Sequence, residues 1–380
     1  ATLGTTVSTV TLDDDETATL SIQATDTATE AGGVQTTDVT LSLAGSGTGT
    51  LSLAAPATAE VIDAGGGSAI SGADYTALVT QTVTFATGST NGATQSVSLT
   101  PIDDLLVEGA ETIKLALQNP TGLVTLATTT GTVTIDDNES ASLSIQAADT
   151  ATEQGGVQTT LITLTLVGSG TLSLASPVTA DVVDASGGSA TSGADYTPLG
   201  TQTVSFPAGS TSGTTRTVPV TPLNDLAVEG NETVNLALQN PTGPTTLGTT
   251  ASAVTIDDDD TASLSIQTTD TAAEEGGAQT TDVTLALGGS GSGPASLAVA
   301  LSAQVIDATT GSALSGTDYT PLGTQTVTFA TGATSGTTDT ITLQPIDDAV
   351  IEPAETVDLT LQNLSTTLAG QASLGTTAGT

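Results

Sequence analysis

A short acidic segment occurs three times in this chain and sets the length of its repeating unit. Each copy is an apolar, strand-like run that ends in a block of carboxylates, and the copies begin at Val10, Val133 and Val254. After each block a nearly identical sequence begins, and it contains Leu-Ser-Ile-Gln starting at residues 20, 143 and 264. A period of about 120 residues matches one β-sandwich domain and is too long for a solenoid repeat. The acid blocks are therefore predicted to lie at the joints of a tandem array.

The period and the length of 380 residues together predict three domains. We assign residues 1–15 to a closing strand with an acidic linker, 16–138 to domain 1, 139–259 to domain 2 and 260–380 to domain 3. Residues 374–380 match residues 247–253, which precede the last strand of domain 2, so domain 3 is expected to lack that strand and its acid block. Residues 3–13 in turn resemble a closing strand with no domain before it.

Apolar residues alternate with Thr and Ser, for example at 38–43, 82–85, 96–99, 112–117 and 131–135. This period of two is typical of half-buried antiparallel strands, and β-branched Thr suits their outer face. With about seven strands per unit, the predicted fold class is all-β: three tandem immunoglobulin-like antiparallel β-sandwich domains. One Tyr and one Phe per unit are predicted core residues, although the Tyr could instead line a ligand groove: Tyr75, Phe85, Tyr196, Phe206, Tyr319 and Phe329.

The charge of the chain indicates its partners. The formal net charge is −39, with Lys114 and Arg216 as the only basic side chains, so nucleic acid and anionic membranes would be repelled and cations attracted. Such acidity can also indicate disorder, but 37% hydrophobic residues in regular alternation favour a folded chain. No Cys is present, and neither a signal peptide nor a run of transmembrane length is found.

A second acidic motif precedes the penultimate strand of every unit. It begins at Pro101, Pro222 and Pro345 and contains an Asp pair, or Asn-Asp in domain 2, followed by two Glu residues three apart. A strand should end at the pair and the next should begin near the second Glu. The carboxylates would then crowd one end of a hairpin.

Together, the Ile-Asp-Asp, the Glu-x-x-Glu-Thr, the Asn-Pro-Thr-Gly turn and the closing Val-Thr-Ile-Asp-Asp resemble the Calx-β domain family of sodium–calcium exchangers and bacterial surface proteins. The resemblance extends over almost the whole chain and implies a seven-stranded sandwich with a calcium cluster at one tip, near the next domain. It implies as calcium ligands, in domain 1, Glu30, Asp74, Asp103, Asp104, Glu108, Glu111, Asp136 and Asp137; in domain 2, Glu153, Asp195, Asp225, Glu229, Glu232, Asp257, Asp258 and Asp259; and in domain 3, Glu274, Asp318, Asp347, Asp348, Glu352 and Glu355. Asn138 and Asn224 replace Asp, which predicts weaker binding or fewer ions there.

The acidic residues predict calcium binding independently of the family resemblance. Several carboxylates in one loop cluster repel each other, and a hard divalent ion with six to eight oxygen ligands relieves this; magnesium requires a tighter octahedron. At a calcium concentration about 100-fold above its dissociation constant, each site would add about 2.7 kcal/mol to stability. The alternative is that the acidic turns are solvated loops that give solubility, which is our interpretation of Asp26, Asp149 and Asp270.

The two ends of the chain suggest a hypothesis of self-association. The N-terminal strand of one copy would complete domain 3 of the next, with Asp13, Asp14 and Asp15 as calcium ligands in trans, giving a head-to-tail fibre. The alternative is a segment of a longer tandem array.

An enzyme is not expected. Without His or Cys the usual nucleophile–base pairs cannot form, and a paired-carboxylate glycosidase is disfavoured because no Trp is present and the same carboxylates recur in all three units. We therefore predict an extracellular structural protein, a calcium-stabilised stalk or fibre of a surface layer, adhesin or matrix. The alternative is a calcium-sensing or ligand-binding ectodomain that responds through its interdomain angle.

Overall fold

A computed structural model describes residues 4, 7–46, 48–368 and 370–380, and β-strands form most of its regular structure. In domain 1 the strands are β1 Thr17–Ile22, β2 Thr25–Thr29, β3 Gln35–Ala44, β4 Ala57–Asp63, β5 Gln81–Phe85, β6 Thr94–Leu99, β7 Leu106–Val107, β8 Glu111–Thr121, β9 Thr125–Leu126 and β10 Thr130–Asp136. In domain 2 they are β11 Ser140–Ile145, β12 Ala148–Thr152, β13 Gln158–Val167, β14 Ser173–Leu174, β15 Val178–Asp184, β16 Gln202–Phe206, β17 Thr215–Val220, β18 Ala227–Val228, β19 Glu232–Thr242, β20 Thr245–Leu247 and β21 Ala251–Asp257. In domain 3 they are β22 Thr261–Ile266, β23 Gln279–Gly288, β24 Ser296–Leu297, β25 Leu301–Asp307, β26 Gln325–Phe329, β27 Thr338–Leu343, β28 Leu359–Ser365, β29 Ala372–Leu374 and β30 Ala378–Gly379. Three-residue 3-10 helices occupy Glu30–Gly32, Glu153–Gly155 and Glu274–Gly276.

Domain 1 is a sandwich of two sheets. One sheet has the order β6-β3-β1-β9 and the other β2-β10-β8-β4-β5. The first strand of the domain is divided between the sheets, because β1 pairs with β3 in one sheet while β2 pairs in parallel with the closing strand β10 in the other. If the divided first and last strands are each counted once, seven strands remain. The predicted all-β fold of three tandem sandwich domains is confirmed.

The predicted alternation forms the cores. In the middle of β3 and in β4 every second residue is buried, and the polar side chains between them are half-buried or exposed. The Tyr and Phe of each domain are buried in its core, as predicted. The hydroxyl of Tyr75 donates a hydrogen bond of 2.5 Å to Asp63, and Tyr196 and Tyr319 make the same bond to Asp184 and Asp307. Tyr75 and Tyr196 are therefore core residues, while the buried Tyr319 also borders the open groove of domain 3 described below.

Domain 2 repeats the two sheets of domain 1, with β21 as its closing strand. Domain 3 differs on one edge. Its closing strand is only β30, Ala378–Gly379, which pairs with β28, and residues 269–273 form no strand although β2 and β12 occupy the same place in the first two domains. An open groove with parts of about 570 and 270 Å³ remains, bordered by residues 269–274 and 355–357.

Consecutive domains are joined by a short parallel ladder. Strand β7 of domain 1 pairs with β14 of domain 2, and β18 of domain 2 pairs with β24 of domain 3. The main-chain N–H groups of Ser173 and Ala175 donate to the carbonyls of Leu105 and Val107 at 3.1 Å. Val107 is buried in the core of domain 2. Each joint therefore rests on both hydrogen bonds and apolar burial.

Residues 7–16 form no regular secondary structure, and Val10 and Leu12 are 80% and 91% exposed. Leu3, Thr5 and Thr6 of the predicted N-terminal closing strand lie outside the described residues. The domain boundaries that we proposed from the sequence stay a prediction. In the described part of the chain, every helix is too short to cross a lipid bilayer.

Candidate metal centre

Four segments bring carboxylates to one tip of domain 1. The 3-10 helix after β2 presents Glu30, a turn between β4 and β5 presents Asp74, the loop from β6 to β8 presents residues 103–111, and the segment after β10 presents residues 136–139. The hairpin predicted from the second acidic motif is not formed. Strand β6 ends at Leu99, before the Asp pair, and β8, which begins at Glu111, belongs to the other sheet, so the motif connects the two sheets of the sandwich. The tip faces domain 2, because β7 lies within the same loop.

Two groups of three carboxylates form at this tip. Glu30, Asp103 and Glu139 form one, and Asp74, Glu108 and Glu111 form the other. Within each group, one oxygen of every residue lies within 4.8 Å of the others. Glu30, Asp74 and Glu139 are buried. Such spacing suits oxygen ligands that share one hard cation.

Asp137 and Asp104 organise the loops around these groups. One oxygen of Asp137 accepts hydrogen bonds from the main-chain N–H groups of Glu108 and Gly109, at 2.8 and 2.9 Å. Its other oxygen accepts from the N–H of Glu139 at 2.7 Å. Asp104 accepts from the N–H of Leu106 at 2.7 Å. These bonds fix the backbone of both acid motifs, whereas Asp136 is exposed.

Domain 2 builds a similar tip with several changes. Its groups are Glu153, Asp258 and Asp260, and Asp195, Glu229 and Glu232. Asp258 makes the same three main-chain bonds as Asp137, at 2.7–2.8 Å. Asp225 accepts from the N–H of Ala227 at 2.7 Å, as Asp104 does from Leu106.

One sequence change at this tip is Asn224, which replaces the Asp103 of domain 1. In addition, Asp259 and Asp260 replace Asn138 and Glu139. Its amide nitrogen donates to the carbonyl of Ser290 in domain 3 at 2.6 Å. Asp257 accepts from Asn231 at 2.6 Å. One oxygen of Asp259 accepts from the hydroxyl of Ser290 at 3.3 Å. Several polar groups of this tip therefore bond across or along the joint.

Burial and mutual repulsion raise the pKa of the glutamates at both tips. In domain 1, burial and then the charge of Asp137 raise the pKa of Glu30 to about 7, and burial and the hydrogen bond to Asp74 raise the pKa of Glu111 to about 8. In domain 2, burial followed by the charges of nearby aspartates raises the pKa of Glu153 to about 8. Burial and then its contacts with Asp195 raise the pKa of Glu232 to about 8.

These shifts show that carboxylates at the tips repel each other without a compensating cation from the protein. The two basic side chains bond elsewhere. The ammonium of Lys114 donates to Thr132 at 2.9 Å, and the guanidinium of Arg216 donates to the carbonyls of Ser205 and Thr215 and lies 5.2 Å from the ring centre of Phe206.

Several carboxylate oxygens at the tips are buried and have no hydrogen-bond partner within the described residues. In domain 1 they are one oxygen each of Glu30, Glu111 and Glu139. In domain 2 they are one oxygen of Asp259 and both oxygens of Asp260. A buried oxygen without a partner costs free energy, and an anionic one costs more. The donor set, made only of oxygens with several anionic members, is the kind that calcium takes. The residues therefore fit a calcium ion on grounds independent of the family.

Two residues in these groups were missed from the sequence. Glu139 and Asp260 occupy the fourth position of the second and third acid blocks, and we had predicted only the first positions of each block as ligands. Their side chains turn back from the linker onto the preceding tip. The repeated carboxyl at this position, with Glu16 in the first block, was the signal that could have found them.

The third tip carries the predicted residues in a more open arrangement. Glu274, Asp347, Asp348, Glu352 and Glu355 are exposed, and Asp318 is half-buried. A hydrogen bond to Asp318 raises the pKa of Glu355, and burial and the charge of Asp318 raise that of Glu352. In the first acid block, Asp13, Asp14, Asp15 and Glu16 are all exposed. The N–H of Glu16 donates to Asp14 at 3.3 Å, which matches the Glu139–Asp137 turn.

Fold and tip together define a tandem array of immunoglobulin-like domains with acidic, joint-facing tips. The family model of the Calx-beta domain matches the chain at residues 13–139, 136–260 and 257–378. The chain therefore belongs to the Calx-beta domain family, whose domains bind calcium. The resemblance seen in the sequence is confirmed, and calcium binding by this chain itself is taken up below.

Solved structures with similar folds include Calx domains and titin. The calcium binding domain CBD12 of CALX1.1 is 17% identical, with 62% of this chain and 98% of that chain covered and a TM-score of 0.28. The apo-form Calx CBD1 domain is 23% identical, over 32% of this chain and 98% of that one, with a TM-score of 0.27. The titin I-band fragment I67–I69 is 9% identical over 97% and 98%, with a TM-score of 0.28. At these TM-scores the likenesses carry no further argument. A search of curated protein sequences returned no significant match.

Proposed function

We propose that the tips of domains 1 and 2 bind calcium and that the chain is a structural extracellular protein. The observation that carries the calcium proposal is the set of buried carboxylate oxygens without partners, in Glu30, Glu111, Glu139 and Asp260. Calcium accepts six to eight oxygens in flexible geometry, whereas magnesium would need a tighter octahedron. Membership of a calcium-binding family supports the same choice.

The ligands that we propose are the groups around Glu30 and Glu111 in domain 1 and around Glu153 and Glu232 in domain 2. Asp137 and Asp258 would serve both as ligands and as the residues that hold the loops. Glu139 and Asp260 come from the linkers, so an ion at either tip would join a domain to the segment that enters the next. Calcium would thereby stiffen the joints as well as stabilise the domains.

Titration calorimetry tests this proposal. Calcium should bind the chain with saturable heat, and the tip variant Glu30→Gln combined with Glu153→Gln should lose most of it. A variant in which Asp26 and Asp149 become Asn is a matched control, because these residues bond only to nearby Thr groups in the structure. Equal binding by the tip variant and the parent would overturn the proposal.

The structural role follows from the arrangement of the domains. Three sandwiches in a row, joined by ladders and acidic tips, have the features of a stalk or of a unit of a fibre in a surface layer, adhesin or matrix. An extracellular site suits such a role because free calcium is plentiful there. The calcium-bearing tips are repeated at both joints, which favours a binding and structural role over catalysis.

Head-to-tail assembly by strand donation is the second part of the proposal. The groove of domain 3 lies where β10 and β21 lie in the other domains, and residues 7–13 have the sequence pattern of those strands. Val10 and Leu12, which correspond to Val133 and Ile135 in β10, are exposed. Inserted into the groove of another copy, they would be buried, and Asp13, Asp14 and Asp15 would reach the third tip.

Deletion of residues 1–12 tests strand donation. The variant should remain monomeric in calcium, and a peptide of residues 7–16 should bind it, whereas a scrambled peptide should not. Polymerisation of the deletion variant in calcium would contradict strand donation. In that case the groove would accept the continuation of a longer tandem array.

The second candidate function is a calcium-sensing or ligand-binding ectodomain. It is favoured by the linker residues Glu139 and Asp260, because an ion held by them could change the angle between domains. Small-angle scattering with and without chelator separates the two functions. A calcium-dependent change of shape in a monomer supports the sensor, and a filament in calcium supports the fibre.

A further inference from the structure

The joints within the chain place one apolar residue of each tip in the next domain. Val107 and Val228 are buried in the cores of domains 2 and 3, next to Leu174 and Leu297. At the first joint, β7 pairs in parallel with β14, so that Leu106 lies opposite Ser173 and Val107 lies opposite Leu174. The second joint repeats this register. The contact is therefore a recurring element of the repeat.

Domain 3 carries the donor half of this contact without a receiver among the described residues. Ile351 corresponds to Val107 and Val228 and is 100% exposed, while Val350 beside it is 59% exposed. Residues 350–358 form no strand. A fully exposed Ile, flanked by another exposed apolar residue at a conserved place in the repeat, indicates a contact surface, since its burial would release apolar area from water.

Domain 1 carries the receiving half, and none of the described residues pairs with it as β7 pairs with β14. Leu51, Ser52, Leu53 and Ala54 correspond to residues 172–175 of domain 2. Ser52 forms the same bridge to Thr90 that Ser173 forms to Thr211, so this segment already has the conformation of β14. Ser52 and Ala54 are exposed, whereas Ser173 and Ala175 are half-buried against β7.

We propose that Val350 and Ile351 of one copy dock on residues 51–54 of a second copy, in the register that β7 makes with β14. Val350 would then lie opposite Ser52, and Ile351 opposite Leu53. This inference rests on the proposed head-to-tail assembly and names its second contact surface. The partner that we propose is a second copy of this chain, because its residues 51–54 have the conformation that β14 has at the first joint and would receive residues 350–351 in the same register.

Both contacts can come from the same neighbouring copy. Within the chain, the acid block at the end of β10 leads into the domain whose residues 173–174 receive Val107. In the proposed assembly, the block at Asp13–Glu16 leads into the domain whose residues 52–53 receive Ile351, and about the same number of residues separates block and receiver in both cases. The intermolecular joint would thus have the geometry of the internal joints, and such a heterologous contact continues into an open filament.

One difference is expected at the intermolecular joint. Pro353 replaces Gly109 and Gly230, whose N–H groups donate to Asp137 and Asp258. Proline has no N–H, so Asp14 in that position could accept from Glu352 but not from residue 353. The docking of residues 350–351 precedes Pro353 and does not depend on this bond.

Disulfide trapping tests the docking in the full chain, which contains no Cys of its own. A Val350→Cys chain and a Ser52→Cys chain, carrying different tags, are mixed in calcium and oxidised. The expected product is a disulfide-linked dimer that contains one chain of each kind. A chain with Leu106→Cys and Ser173→Cys is the positive control within one molecule, and Val350→Cys mixed with Leu123→Cys is the negative control, since Leu123 is also exposed.

The outcomes separate this inference from strand donation. If calcium assembles the chains but the 350–52 disulfide does not exceed the negative control, the docking is wrong and strand donation stands. If the disulfide forms in a mixture of chains without residues 1–12, the docking is correct and strand donation is not required. If the chains do not associate at all, both are overturned.

A second variant measures how much the contact contributes. Ile351→Asp should weaken association at least about tenfold, because a charge would replace an apolar side chain at a buried contact. Ile351 is fully exposed in the single chain, so its replacement should leave the melting temperature of the monomer unchanged. Leu123→Asp is the matched control and should associate normally. Unchanged association of Ile351→Asp would overturn the docking.

Discussion

The tips of domains 1 and 2 differ from that of domain 3, although all three carry nearly the same acidic residues. Glu30 and Glu153 are 5% and 7% exposed, whereas Glu274 is exposed. In the first two domains the closing strand pairs on both sides, and the following domain covers the loop that contains β7 or β18. The buried carboxylate clusters thus occur where a closing strand, its acid block and a following domain all surround the tip.

The enclosed tips carry a cost that the open tip avoids. Burial raises the pKa of Glu111 and Glu232 to about 8, because their ionised forms lose water and face other carboxylates. At the third tip water surrounds Glu352 and Glu355 and screens their repulsion. A cation should therefore matter most to domains 1 and 2, and the following predictions examine this contrast.

Removal of calcium should have the largest effect. Excess chelator should lower the melting temperature of domains 1 and 2 by about 10 °C or more, which differential scanning calorimetry measures. Each site, at a calcium concentration about 100 times its dissociation constant, adds about 2.7 kcal/mol to the free energy of unfolding. The transition of domain 3 in the monomer should move least. Magnesium at the same concentration serves as a control and should restore little. Equal shifts of all transitions would remove the distinction between the tips.

Neutralising one glutamate per tip should come next. Glu111→Gln and Glu232→Gln should each weaken calcium binding at their own tip at least about tenfold, because one charged oxygen ligand is lost. Glu355→Gln, the matched change at the third tip, should leave the tight sites unaffected. Titration calorimetry measures all three. A comparable loss with Glu355→Gln would show that the open tip binds as tightly as the enclosed ones.

The pH dependence of the chelated protein should be smaller and of opposite sign to that of a salt-bridged protein. The raised pKa values of Glu30, Glu111, Glu153 and Glu232, at about 7 to 8, mean that the folded state binds more protons than the unfolded state between about pH 5 and 8. Stability is then highest at the acid end of this range and falls as the pH rises through these values. The melting temperature should drop by several degrees from pH 5.5 to 8.5.

Saturating calcium is the control for this experiment, because bound cation keeps the carboxylates ionised at both pH values and should flatten the profile. A chelated protein that becomes more stable as the pH rises from 5.5 to 8.5 would contradict the assigned shifts.

An exchange of Asp and Asn between the first two tips should have the smallest effect. Asp103→Asn should weaken binding at the first tip a few-fold, and Asn224→Asp should strengthen it at the second, because this position differs in charge but keeps an oxygen. Asn224→Asp also replaces the amide that donates to Ser290, so the melting temperature of the joint is the accompanying control. Opposite signs of the two affinity changes are expected, and equal signs would contradict the charge argument.

Much of the fold was predictable because it depends on local patterns. Alternation along β3, β4, β8 and their repeats fixed which residues would be buried, and the acid blocks marked the joints. The Tyr and Phe of each unit were predicted in the cores and lie there. The family is confirmed by its model match. These inferences needed only the two-residue side-chain period of a strand and the internal repeat of the amino-acid sequence.

The candidate site was predictable in part. The second acidic motif indicated crowded carboxylates, and Glu30, Asp74, Asp103, Glu108 and Glu111 do meet at one tip. The predicted hairpin was wrong, because β6 and β8 belong to different sheets. Glu139 and Asp260 were assigned to the first positions of domains 2 and 3 and not to the preceding tips, because the sequence does not tell which way a side chain after a strand end will turn. The hydrogen bonds of Asp137 and Asp258 to residues across the loop turn the linker back, and those contacts are long-range.

Residue type and spacing were enough to predict a threefold all-β array, its cores and the acidic character of its tips. Three features became visible only in the folded chain: which carboxylates share a site, which oxygens are buried without a partner, and the entry of Val107 and Val228 into the next domain. Burial depends on the strands and domains on either side of a residue, and the sequence does not place them. Glu30 and Glu274 occupy equivalent positions in the sequence repeat, yet Glu30 is buried and Glu274 is exposed.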